Sequence, residues 1–123
     1  MSVVPADEIT RLLTDFQSST RGVTAALLAS TQGRLHGSTL PSGPARLHLT
    51  AISAAALAIA GKGARDLQLG ELSQVHILGA SGSILLLNLG EKAVLSLVLA
   101  DGVAAGPVLE AGKAMFQQLE SLI

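Results

Sequence analysis

The residues whose types could do chemistry are three histidines, a Gly-Lys-Gly triplet, a Gly- and Ser-rich turn and a scatter of charged side chains. His36, His48 and His76 stand far apart, and none has a carboxylate or second histidine at ligand spacing, so no metal site is expected. Gly61-Lys62-Gly63 has the outline of a phosphate loop. The first glycine of that loop is missing, however, Ala64 stands where Ser or Thr is required, and the triplet falls inside a helical pattern. Gly79-Ala80-Ser81-Gly82-Ser83 has the outline of a nucleophile elbow but ends in Ser and joins two strand-like runs, which makes it a turn. The carboxylates Asp7, Glu8, Asp15, Asp66, Glu71, Glu91, Asp101, Glu110 and Glu120 fall on helix faces or in turns. An arginine finger could come from Arg11, Arg21, Arg34, Arg46 or Arg65, and no local feature singles one out. With no cysteine there is no thiol nucleophile and no thiolate site. The expectation is a protein that is not an enzyme and carries no cofactor.

Composition points to association instead. At 123 residues the chain is one domain, residues 1–123. Hydrophobic residues make up 49% and charged residues 14%, where about 25% is usual. That is too little charge to cover a lone monomer, so a self-association surface is expected. Net charge is −1 and no three basic residues run together, which removes the electrostatic term of nucleic-acid binding. The two aromatics, Phe16 and Phe116, sit in helical patterns, where they offer no strand-borne ring for base stacking. The first residues lack the basic and apolar regions of a signal peptide. The richest apolar stretch, Ala51 to Gly61, is 11 residues long where about 20 would span a membrane. A cytoplasmic protein without membrane insertion is the expectation.

Periodicity supplies the elements that must build this surface. Ile9, Leu12, Leu13 and Phe16 form one helical stripe, with Asp7 and Glu8 at the favourable end of the dipole and Gly22 as a stop. Val23–Ser30 and Arg34–Ser38 are strand runs joined at Gln32-Gly33. After Pro41-Ser42-Gly43-Pro44 a second helix is expected from about Ala45 to Leu69, closed by Gly70. It is apolar nearly all round, so it is buried on more than one side, either centrally in its own chain or against a second copy. Leu49, Ile52 and Ile59 are expected on the sheet, and the small row Ala51, Ala55 and Ala58, followed by Lys62, against another helix. Gln74–Gly79, Ser83–Leu89 and Ala93–Ala100 follow through short turns as an antiparallel meander. Runs such as Ile84-Leu85-Leu86-Leu87 do not alternate, so both sheet faces should be covered. A last helix starts at Gly106-Pro107, its stripe made by Val108, Gly112, Met115, Leu119 and Leu122; Gly112 is expected where the first helix passes close.

The resulting fold class is α/β (α+β): a five-stranded antiparallel sheet between one helix on one face and two on the other, in the order α-β-β-α-β-β-β-α. This order, with Leu67-Gln68-Leu69-Gly70-Glu71-Leu72 before the third strand, Ser83–Gly90, Ala93-Val94-Leu95 and Ala104-Ala105-Gly106, resembles the Roadblock/dynein light chain family over almost the whole chain. The resemblance implies a homodimer in which the third strands pair edge to edge through Val75, His76 and Ile77. The second helices would pack side by side through Ala51, Ala55, Ala58 and Lys62. It also implies a Ras-like small GTPase as partner, whose hydrolysis or localisation the dimer regulates, or a scaffold subunit's place in a larger signalling or motor complex. An uncharged edge strand left open would be an aggregation hazard, which agrees with a paired one.

Overall fold

The computed structural model describes residues 5–90 and 92–123; Met1 to Val4, read above for a signal peptide, and the carboxylate of Glu91 lie outside the described residues. The elements are α1 (Pro5–Ser19), β1 (Val23–Ser30), β2 (Leu35–Ser38), α2 (Pro44–Asp66), β3 (Gln74–Gly79), β4 (Gly82–Leu89), β5 (Ala93–Ala100) and α3 (Ala105–Glu120). The five strands form one antiparallel sheet in the order β2-β1-β5-β4-β3.

Two cores explain why the strands read as apolar runs. On one face Leu28, Leu85, Leu87, Leu95 and Leu97 pack with Ile9 and Leu13 of α1 and Met115 and Leu119 of α3. On the other, Leu27, Ala29, Leu86 and Val94 pack with Leu49 and Leu57 of α2. Successive residues of β1, β4 and β5 thus enter opposite cores, and burial replaces the alternation of a half-wet sheet. The expected double cover holds for these three strands and fails at β3, which is largely exposed along its length.

Two glycines fix how the outer elements dock. Gly22, with φ +91°, turns the chain from α1 into β1, and a Cβ there would meet Val103 Cγ2 at 2.5 Å. Gly37 in β2 lies under α1, where a Cβ would come within 2.7 Å of Ile9 Cγ2 and 3.2 Å of the Thr10 backbone nitrogen.

The structure corrects four further expectations. α2 ends at Asp66 and not Leu69, because Gln68 takes a left-handed φ of 60° ahead of Gly70. The α2 residues on the sheet are Leu49, Ser53, Leu57 and Gly61, whereas Ile52 and Ile59 point outward. A helix apolar all round has no moment to choose its inner flank, and the small inner residues let it sit close to the sheet. There Ser53 Oγ donates to Leu49 O at 2.6 Å and lies 2.5 Å from Ser96 Oγ of β5. The close neighbours of Gly112 are the side chains of Leu87, Leu97 and Leu95 and not α1, so the missing Cβ makes room for the sheet core. Finally, α2 extends well beyond its richest apolar stretch: the helix has 23 residues, and a window with mean hydropathy 1.3 is long and apolar enough to cross a membrane. Its inner face is instead committed to the sheet.

Candidate functional site

The chemistry-bearing residues stay apart in space. His36 lies on β2, His48 in α2 and His76 on β3, and among the described residues no three His, Asp or Glu side chains come together. Burial, then the Arg34 charge, holds the His36 imidazole below the usual histidine range. Gly61-Lys62-Gly63 lies within α2, with Gly61 buried, and has no loop for a phosphate to enter. Gly79 pairs with Gly82 across the two-residue turn Ala80-Ser81, so this segment is the β3–β4 hairpin. Arg11, Arg21, Arg34 and Arg65 are exposed and Arg46 is half-buried. Only Arg65 among them lines the cleft of about 260 Å³ that Leu57, Gly61, Glu71, Leu72 and Asn88 form at the end of α2. Asn88 shapes that cleft by donating from Nδ2 to Leu72 O at 2.7 Å.

The residues read as an association surface do come to the outside. Ala51, Ala55, Ala58 and Lys62 all lie on the exposed flank of α2. Lys62 Nζ donates to Asp66 Oδ2 at 2.6 Å, one turn on, and both side chains remain mostly in solvent. Composition alone could not find their larger companions: Leu47 is 69% exposed, Ile52 44% and Ile59 75%. The 3.6-residue period places them beside the alanines once the inner flank is known, and that flank is the missing signal. The strip runs from Leu47 to Ile59 and is apolar except for the exposed His48, with Lys62 at its end.

β3 is the second part of the surface. It is an edge strand hydrogen-bonded to β4 alone. Val75 leans into the α2 layer, while His76, Ile77 and Leu78 are exposed, Leu78 by 77%. An apolar edge strand with open main-chain groups invites another strand. α2 and β3 touch, so helix strip and strand edge adjoin.

Comparison with known proteins agrees with this architecture. The model of the Roadblock/LC7 domain matches residues 9–100. Gliding protein MglB from Thermus thermophilus superposes with a TM-score of 0.81 at 21% identity, covering 99% of this chain and 93% of its own. A structure described as MglB with tetrameric arrangement gives 0.83 at 21% identity, with coverages of 99% and 92%. A Roadblock/LC7 domain from Streptomyces avermitilis gives 0.85 at 13% identity, with coverages of 91% and 94%. No protein of curated function matches the sequence. The α-β-β-α-β-β-β-α order, the five-stranded sheet and a domain match spanning α1 to β5 make this chain a member of the Roadblock/LC7 family.

Proposed function

We propose that the chain is a non-catalytic homodimeric platform for a Ras-like small GTPase, acting in the cytoplasm on that GTPase's hydrolysis or localisation. The observation that carries this reading is the apolar outer strip of α2 adjoining the open, uncharged edge of β3. Two such surfaces related by a two-fold axis cover each other: β3 pairs with β3 through Val75, His76 and Ile77, and α2 lies beside α2 through Ala51, Ala55, Ala58 and Lys62. The family membership supports a regulatory or scaffolding role, and the MglB likeness supports a GTPase as the partner class.

Light scattering of the purified chain in neutral buffer is expected to report a dimer, and a 12.4 kDa particle would refute the platform. Immobilised dimer is then expected to retain a Ras-like GTPase loaded with a non-hydrolysable GTP analogue and to release it in GDP. GTP turnover by that GTPase, with and without the dimer, separates a regulator of hydrolysis from a scaffold subunit, for which turnover is unchanged.

A further inference from the structure

The bonding pattern on the closed edge of β3 fixes the pattern on its open edge. The Asn88 backbone N–H donates to Ser73 O at 3.0 Å. These two residues stand opposite each other one step beyond the Gln74↔Leu87 pair. Directly opposite residues share such a bond only in a hydrogen-bonded pair, and such pairs alternate along an antiparallel ladder. Val75↔Leu86, Ile77↔Ile84 and Gly79↔Gly82 are therefore the bonded pairs. The main-chain groups of Gln74, His76 and Leu78 face the open edge. His76 is paired with Leu85, which belongs to the core under α1 and α3, so its imidazole lies on that face of the sheet.

We infer that a second copy of the chain joins β3 in the register that sets His76 opposite itself, and that protonation of the two facing imidazoles loosens the pairing. The inference rests on the homodimer reading above. With both α2 helices on one face of the joined sheet, Val75 and Ile77 of both copies share that face. Opposite residues of an antiparallel pair also share a face. The two-fold axis therefore passes through a residue and not between two. Centred on His76, every open-edge residue finds a partner: Gln74 meets Leu78 of the second copy, and His76 meets itself. Centred on Val75, Leu78 would face Leu72; centred on Ile77, Gln74 would face Ala80. Both lie outside the strand.

In the His76-centred register the two histidine Cα atoms are about 5.5 Å apart, with both side chains on one face. No carboxylate on the neighbouring strands offsets them. β4 carries no titratable residue, and the second copy brings Gln74 and Leu78 beside the pair. α2, with Arg46, His48, Lys62, Arg65 and Asp66, packs on the opposite face. On the histidine side α3 lies over β4, and its Glu110, Lys113 and Glu120 are all exposed. Histidine changes charge between pH 5 and 8, and like charges set directly opposite destabilise a strand pair.

The absence of cysteine lets single engineered cysteines report the register. His76→Cys is expected to form an intermolecular disulfide under mild oxidation. Val75→Cys and Ile77→Cys, each about 8 Å from its own copy by strand spacing, are expected to stay uncrosslinked. Rapid self-crosslinking of either, with none in the His76→Cys variant, overturns the register while leaving the homodimer intact. Sedimentation at pH 8 and pH 5.5 then reads the switch. The dissociation constant is expected to rise roughly fivefold in acid, to stay flat in His76→Gln, and to keep its pH response in His48→Gln, which alters the other exposed histidine of this surface. A response that survives His76→Gln, or is absent from the native chain, overturns the switch. A chain that is monomeric at both pH values overturns the homodimer reading and this inference with it.

Discussion

Ser53 of α2 and Ser96 of β5 meet oxygen to oxygen at 2.5 Å, both fully buried, where the helix crosses the middle of the sheet. Ser53 has one hydroxyl proton, and Leu49 O accepts it. Ser96 is therefore the donor of the shared bond. The pair is a buried polar contact between the inner flank of α2 and the sheet.

Removing the two hydroxyls should be asymmetric. Ser53→Ala strands the Ser96 proton in the core and is expected to cost about 1–3 kcal/mol, whereas Ser96→Ala leaves Ser53 bonded to Leu49 O and costs less, about 1 kcal/mol. The double variant should be more stable than Ser53→Ala alone. Chemical denaturation of the three variants measures this, and a larger loss in Ser96→Ala would contradict the assignment of the donor.

Ala55 is exposed in the single chain, so Ala55→Glu should leave the protomer folded. In the proposed helix-to-helix seam the same carboxylate would be buried without a partner, at a cost of several kcal/mol. The variant is expected to sediment as a monomer with unchanged circular dichroism. An intact dimer would move the seam elsewhere.

Gly37→Ala introduces a Cβ that meets both Ile9 and the backbone of α1. Backbone yields less readily than a side-chain tip, so a loss of about 1–3 kcal/mol is expected. A melting temperature equal to the parent's would show that α1 can lift from β2.

Stability should fall on mild acidification through His36. Its folded imidazole titrates below the ordinary value of 6.5, chiefly because it is partly buried and secondly because Arg34 is close. As pH falls through 6.5 the unfolded chain takes up the proton first, so stability is lost from there down to the lowered folded value and levels off below it. Melting curves between pH 8 and 5 of the Ala55→Glu monomer, which removes any contribution from dimer dissociation, should show this slope, and His36→Gln in that background should reduce it.

Much of the fold is local and was legible as such. The Ile9, Leu13 and Phe16 stripe, the turns at Gln32-Gly33 and Ala80-Ser81, and the Val108, Gly112, Met115 and Leu119 stripe follow from period and turn chemistry, which neighbours in sequence decide. The alanine row of α2 and the uncharged β3 were readable as outward-facing, and both are exposed. What the tertiary structure alone decided is non-local. The pairing of β1 with β5 closes the sheet between residues far apart in the chain. Which flank of an almost uniformly apolar helix turns inward depends on the shape it meets. Small Ser53 and Gly61 let α2 approach the sheet, and that leaves the bulkier Ile52 and Ile59 outside. Their exposure shows only when the sheet is present to exclude them.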